Sequence, residues 1–108
     1  MVVDILFSVK TPLGINIRTT KEYWKIITTT KHPSVAKYEK QAQQALKDPD
    51  EIRRSIQDLR VHLYYKNIGE LYVCVVADHI NGDEGYIITA YLTDRIKEGE
   101  RIYVKNQD

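Results

Sequence analysis

Three segments in the second half of the chain are rich in strand-forming residues, and the first and the last of them alternate apolar and polar residues with the two-residue period of β-strands. These segments run from Val61 to Lys66, from Leu71 to Ile80 and from Tyr86 to Thr93, and the turn residues Asn81 to Gly85 join the last two. The middle segment is apolar on both faces from Val73 to Ala77, as is typical of a central strand. We therefore predict an antiparallel meander with Leu71 to Ile80 at its centre.

The first half of the chain begins with two extended runs, Val2 to Val9 and Ile15 to Arg18. Pro12 and Gly14 lie between them, so the two runs predict a hairpin at one edge of the sheet. The spacing of apolar residues then becomes helical.

Three helices are predicted from their start signals. The first begins with a capping box, Thr19-x-x-Glu22, and buries Tyr23, Trp24 and Ile27. The second begins at His32-Pro33-Ser34, with proline in its first turn, and has apolar positions at Val35, Tyr38, Ala42, Ala45 and Leu46. The third is capped by Asp48-Pro49-x-Glu51, runs to Ser55 or slightly beyond, and directs Ile52, Ile56 and Leu59 toward the core.

Helices that precede strands, rather than alternating with them, indicate the α+β class. We predict one domain over residues 1–108, with N-terminal helices packed on one face of a curved antiparallel sheet of about four strands. A chain of 108 residues can bury one core without disulfides or a structural metal.

Composition restricts the chemistry. The single Cys74 lies within an apolar strand and is predicted to be a buried structural residue, and the three histidines are too scattered for a zinc site, so we expect no metal and no cofactor. The N-terminal apolar run is interrupted by Asp4 and is too short for a signal peptide, and no segment is long enough to span a membrane. A soluble, cytoplasmic protein without a membrane partner is the resulting expectation.

The formal net charge is only +1, which gives no standing electrostatic attraction to nucleic acid. The charges are nevertheless unevenly distributed: six bases lie between Ile17 and Lys40, and six acids lie between Asp78 and Glu100. This asymmetry is typical of solvated helix surfaces, and it can also steer a polyanion toward one end of the molecule.

His32 is the leading candidate for proton transfer, because it precedes Pro33 at a predicted helix start and imidazole titrates near neutral pH. The competing interpretation is that His32 only shields the start of the helix. His62 is a weaker candidate on a tyrosine-rich strand, and His79 is expected to be an ordinary surface residue.

Candidate phosphate ligands lie at the end of the predicted third helix. Arg54 and Ser55 are expected near the edge of the sheet, where a guanidinium can bind phosphate in a planar fork, and Lys66 can supply a second positive charge. The ordinary alternatives are a base that compensates the helix dipole and an exposed lysine at a strand end. Thr89 and Tyr91 point the same way, about 7 Å apart along their strand, which is enough to span one phosphodiester group. Strand propensity alone also favours threonine and tyrosine at these positions.

Seven short motifs occur together in an order that resembles a family of small, mostly uncharacterised bacterial and phage proteins. They are Trp24, Ile27, His32-Pro33, DPDEIRRS from Asp48 to Ser55, LYYK from Leu63 to Lys66, YVCVV from Tyr72 to Val76, and IITAYLTDRIKEGE from Ile87 to Glu100. That family looks like part of the barnase–EndoU–colicin–RelE group of metal-independent ribonucleases and toxins.

The resemblance implies an RNA-cleaving, toxin-type role, with RNA as substrate and an antitoxin or immunity protein as partner. It places the active site on His32, Arg54, Ser55, Lys66, Thr89 and Tyr91. The chain departs from the family pattern at Gln57 to Arg60 and at Ile26, where a second histidine is sometimes found.

We therefore expect RNA cleavage by attack of the 2′-hydroxyl on the adjacent phosphate. His32 would transfer protons with Tyr91 as reserve acid, Arg54 and Lys66 would stabilise the phosphate, and Ser55 and Thr89 would position it. A non-catalytic RNA- or protein-binding module is the alternative function, and a structural protein that dimerises through an edge strand is a third. The sequence leaves the oligomeric state open.

Overall fold

The computed structural model describes residues 4–97 and 99–105. Within these residues the chain forms seven strands. They are β1 (Ile5–Lys10), β2 (Asn16–Thr20), β3 (Glu51–Arg54), β4 (Val61–Asn67), β5 (Tyr72–Asn81), β6 (Glu84–Thr93) and β7 (Glu100–Val104).

All seven strands belong to one mixed sheet in the order β1-β2-β6-β5-β4-β3-β7. Every neighbouring pair is antiparallel except β2 and β6, which pair in parallel over three residues. The meander β4-β5-β6 and the hairpin β1-β2 are confirmed, with Val2 and Val3 of the predicted first run outside the described residues. The expectation of a small antiparallel sheet of about four strands beneath N-terminal helices is wrong, because β3 and β7 join the predicted strands in a seven-stranded mixed sheet and the structure is largely β.

Two short α-helices connect β2 to β3. Helix α1 (Lys21–Ile26) continues into a π-helical turn (Ile27–Lys31), and a 3₁₀ turn (Pro33–Tyr38) leads into α2 (Glu39–Lys47). The Thr20 hydroxyl, one residue later than predicted, caps α1 by accepting a hydrogen bond from the Tyr23 backbone amide at 3.0 Å. Among the described residues, no helix is both long and apolar enough to cross a bilayer.

The predicted third helix is instead strand β3. The Asp48 carboxylate, which was expected to cap a helix, instead accepts a hydrogen bond from the Lys105 ammonium at 2.7 Å, and Asp50 accepts one from the Asn67 backbone amide at 2.6 Å, at the end of β4. Ile52 is fully buried, between β4 and β7. Pairing on both sides outweighs the local helix signal, and Ile56 and Leu59, which were predicted to face the core, are exposed.

One face of the sheet, which we call the helix face, carries the core. Its central row consists of the register partners Ile52, Tyr64, Val75 and Ala90, none of which is accessible to solvent. Helix α2 packs against β4 and β5 on this face and contributes Ala42, Ala45 and Leu46 to the same cluster. Helical spacing in α2 therefore places its apolar stripe on the sheet, as predicted.

The connection from β6 to β7 crosses the opposite face, which we call the crossover face. The connection has to cross the sheet because β7 pairs with β3, on the far side of β5 and β4 from β6. The Lys97 backbone amide donates a hydrogen bond to the Tyr65 hydroxyl at 3.1 Å, and the Arg53 guanidinium donates to the Gly99 carbonyl at 3.1 Å. These contacts hold the connection above the sheet and shape the surface on which the candidate site lies.

Candidate functional site on the crossover face

A cavity of about 460 Å³ lies on the crossover face. It is bounded by the segment after β3, by β4, β5 and β6, and by the β6–β7 connection. Its lining residues are Ser55, Ile56, Gln57, Val61, Leu63, Val76, Thr89, Tyr91 and Lys97. Three of the six residues predicted for the site, Ser55, Thr89 and Tyr91, therefore lie around one cavity.

The imidazole of His32, in the helical segment, does not line this cavity but lies beside Tyr91, which does. Its ring centroid lies 5.4 Å from that of Tyr91. Strand β2 pairs with β6 only as far as Tyr86, so among the described residues no strand pairs with the far half of β6 on that edge. The helical segment occupies this edge, where the Tyr23 hydroxyl donates a hydrogen bond to the Ile88 carbonyl at 2.5 Å. His32 is thereby brought to the same side of the molecule as Thr89 and Tyr91.

Lys97 is the cation that the sequence analysis did not identify. Its ammonium nitrogen lies 5.5 Å from the centroid of the Tyr91 ring, close enough for a cation–π interaction. Its side chain makes no ion pair with a described carboxylate. The residues next to Lys97 in the sequence do not indicate a functional role. Lys97 lies over the site only because the β6–β7 connection crosses this face of the sheet.

Two hydroxyl groups beside the cavity are shielded from solvent and lack hydrogen-bond partners among the described residues: those of Thr89 and Tyr91. Burial raises the pKa of the Tyr91 phenol well above its ordinary value, and the neighbouring Cys74 thiol raises it further. Burial likewise raises the pKa of the Cys74 thiol to about 12. Tyr91 therefore keeps its proton at neutral pH and can act as a hydrogen-bond donor.

Arg54 and Lys66 lie away from this cavity. Arg54 is the register partner of His62, and its guanidinium forms an ion pair with Glu100. Lys66 donates a hydrogen bond to the Asp48 carbonyl at 2.9 Å, at the end of α2. Both side chains thus hold neighbouring elements of the fold together.

A second cluster of titratable groups lies on the helix-face side of β4 and β5. The rings of His62 and His79 stack with centroids 3.7 Å apart, and His79 Nε2 lies 2.9 Å from the Tyr64 hydroxyl. Burial, together with the repulsion of His62, lowers the pKa of His79 to about 4. Burial also lowers the pKa of His62. The expectation that His79 is an ordinary surface residue is wrong.

Among the described residues, no three side chains of the histidine, cysteine, aspartate and glutamate types come close enough to hold a metal ion. Comparison with known protein families, curated proteins and solved structures finds no match to this chain. The resemblance to the ribonuclease and toxin group is untested by these comparisons and stays a prediction. Function is therefore argued from the geometry of the crossover-face cavity.

Proposed function

We propose that the chain is a metal-independent ribonuclease domain that cleaves RNA in the crossover-face cavity. The observation that carries the proposal is the placement of an imidazole and an ammonium group around one aromatic ring. The His32 ring lies 5.4 Å from the Tyr91 ring, and the Lys97 ammonium lies 5.5 Å from it. A general base and a phosphate-binding cation are the two groups that this reaction needs most.

In the proposed reaction, His32 accepts the proton of an RNA 2′-hydroxyl. The 2′-oxygen bonds to the adjacent phosphorus, the bond from phosphorus to the 5′-oxygen breaks, and the leaving oxygen takes a proton from the imidazolium or from water. The products are a 2′,3′-cyclic phosphate and a 5′-hydroxyl. Lys97 offsets the negative charge that develops on the phosphoryl oxygens in the transition state.

Thr89 and Tyr91 position the phosphate rather than transfer protons. Their buried hydroxyls lack partners among the described residues, so a phosphoryl oxygen that accepts from them replaces a missing hydrogen bond. The raised pKa of Tyr91 makes it a weaker proton donor, so we assign proton transfer to His32 and phosphate positioning to Tyr91.

Cleavage of a fluorescently labelled single-stranded RNA in excess EDTA tests this proposal. Replacing His32 with alanine is expected to slow cleavage by about 100-fold or more, the range typical of lost general acid–base catalysis. Lys97→Ala is expected to slow it by about tenfold or more, because the transition state loses a positive charge. Mass spectrometry of the product ends should show the cyclic phosphate.

Two matched variants serve as controls. Lys47→Ala removes an exposed lysine from α2, and Arg54→Ala removes a guanidinium that lies away from the cavity and pairs with Glu100. Both are expected to cleave RNA at nearly the wild-type rate once folding has been verified by circular dichroism. Equal cutting by the wild type, His32→Ala and Lys97→Ala would refute the assignment of the site.

A non-catalytic RNA-binding module is the second candidate function. It is favoured by the scarcity of proton-transfer groups: with Tyr91 held protonated, His32 is the one described imidazole beside the cavity. RNA binding by the wild type without any cleavage product would select this function.

If the domain acts as a toxin, a protein inhibitor is expected to cover the same cavity. Ile56 lines the cavity and is 75% exposed, so it offers such a partner an apolar contact.

A further inference from the structure

A second cavity, of about 360 Å³, opens where β2 and β6 separate beside the start of α1. Its lining residues are Arg18, Thr19, Thr20, Tyr23, Tyr86 and Ile87. It has no role in the reaction proposed above. Its volume is at the lower end of the range typical of small-ligand sites.

The cavity offers a flat aromatic surface at its mouth. Tyr86 is 44% exposed, and the Arg18 guanidinium carbon lies 4.6 Å from the centroid of its ring. Arg18 also donates a hydrogen bond to the Tyr86 hydroxyl at 2.7 Å and forms an ion pair with Glu84. The guanidinium plane and the ring are therefore held in place before any ligand binds, which lowers the entropic cost of stacking.

A buried polar group lines the same cavity. The Thr19 side chain is only 3% exposed, and its hydroxyl has no hydrogen-bond partner among the described residues. A buried hydroxyl without a partner destabilises the fold, so a ligand that supplies a donor or acceptor at this point gains free energy. The cavity thus combines an aromatic platform with one hydrogen-bonding group.

Lys31 contacts the edge of β6 at Ile88, between Ile87 of this cavity and Thr89 of the crossover-face cavity. Its ammonium donates hydrogen bonds to the Tyr23 hydroxyl at 3.1 Å and to the Ile88 carbonyl at 3.4 Å. Tyr23 lines the second cavity, and Lys31 immediately precedes His32 in the chain. Among the described residues, no carboxylate forms an ion pair with Lys31. A cation available to an anion therefore lies between the two cavities.

We infer that the second cavity binds the base of a nucleotide neighbouring the scissile phosphate of single-stranded RNA, and that Lys31 binds the phosphate between them. This inference rests on the proposed ribonuclease function. A base presents a π face to Tyr86 and polar edge atoms to Thr19, and its phosphate presents an anion to Lys31. Base pairing in a duplex would keep the base out of the cavity, so the substrate is single-stranded.

Binding of a fluorescently labelled, 2′-O-methylated RNA tetranucleotide, followed by anisotropy, tests this inference without cleavage. Tyr86→Ala is expected to weaken binding by about fivefold or more, because base stacking on an aromatic ring is lost. Tyr86→Phe keeps the ring but loses the hydrogen bond from Arg18, so its affinity should lie between those of the wild type and Tyr86→Ala. Thr19→Val should weaken binding without lowering the thermal unfolding temperature, because the hydroxyl it removes has no partner in the free protein.

Lys31→Ala should weaken binding and make it less dependent on salt, by about one counterion in the slope of log affinity against log salt concentration. Lys25→Ala, which removes another exposed lysine of the same helical segment, is the matched control and should keep the wild-type slope.

The outcomes separate this inference from the ribonuclease proposal. Tyr86-dependent binding without RNA cleavage supports the base site and refutes catalysis. Cleavage by the wild type, with tetranucleotide binding unchanged in both Tyr86→Ala and Thr19→Val, overturns the base site and leaves catalysis standing. Failure of the wild type to bind the tetranucleotide also overturns the base site.

Discussion

The stacked histidine pair predicts how the stability of the fold depends on pH. In the unfolded chain a histidine titrates near pH 6.5, whereas the folded protein lowers the pKa of His79 to about 4. Between these two values the unfolded state binds a proton that the folded state excludes. The contribution of His79 to the free energy of unfolding is therefore complete above about pH 6.5 and is lost as the pH is lowered toward 4.

The magnitude follows from the proton affinity. Each tenfold change in the proton affinity of His79 corresponds to about 1.4 kcal/mol. The fall in its pKa from about 6.5 to about 4 therefore corresponds to about 3 kcal/mol of unfolding free energy. His79 keeps part of its surface in contact with solvent, which screens the repulsion from His62, so we expect about 2 kcal/mol.

Urea denaturation of the wild type and His79→Gln, at about pH 7.5 and about pH 4.5, measures this contribution. Trp24 is buried in the core and reports unfolding by fluorescence. Glutamine does not titrate and keeps an amide that can either donate to or accept from the Tyr64 hydroxyl. The variant should therefore be less stable at the higher pH and should lose about 2 kcal/mol less unfolding free energy than the wild type on acidification. If the wild type and the variant lose the same free energy, His79 does not carry a lowered pKa and the reasoning fails.

Three further predictions concern other parts of the sheet. Gly85→Ala should lower the free energy of unfolding by about 2 kcal/mol in thermal or urea denaturation, because the alanine Cβ would lie 2.5 Å from the Asp78 carbonyl oxygen and 2.7 Å from Ile17 Cδ1. A variant as stable as the wild type would show that the strands separate easily at this point. Cys74 should resist Ellman's reagent in the folded protein and react fully in denaturant, since its thiol is buried with a pKa of about 12; rapid reaction without denaturant would contradict the burial. Thr89→Val should change the free energy of unfolding by less than about 1 kcal/mol, because the Thr89 hydroxyl lacks a hydrogen-bond partner among the described residues. The same variant should slow RNA cleavage severalfold, and an unchanged cleavage rate would show that Thr89 is not part of the site.

The meander could be predicted from sequence because its signal is local. Alternation along β4 and β6 and the two-sided apolar character of β5 follow directly from burial, and the glycine-containing turn between β5 and β6 is a strong hairpin signal. The burial of Cys74 followed from the same pattern and is confirmed.

Strand β3 could not be predicted in this way, because its signals conflict. Asp48, Pro49 and Glu51 form a good helix start, and nothing near them indicates that β4 and β7 will pair with both edges of this segment. The same long-range pairing creates β7, for which the sequence analysis assigned no element. The secondary-structure preference of the local sequence is overridden here by strands distant in sequence, which supply hydrogen bonds and burial.

The candidate site was predictable only in part, for the same reason. Thr89 and Tyr91 share a face because they lie two residues apart on one strand, which sequence alone establishes. His32 can lie beside Tyr91 because the pairing of β2 with β6 ends at Tyr86 and leaves that edge of β6 to the helical segment. Lys97 lies beside Tyr91 because of the path that the β6–β7 connection takes. Neither feature has a local sequence signature.

The crossing of the β6–β7 connection determines when the site can form during folding. The meander can assemble from neighbouring segments, but Lys97 reaches Tyr91 only once β7 has docked on β3, where Tyr103 pairs with Ile52. Contacts between residues so distant in sequence have a high entropic cost of loop closure and tend to form late. A newly made chain would thus assemble its meander before Lys97 reaches Tyr91, so the proposed site would be completed only after β7 has docked.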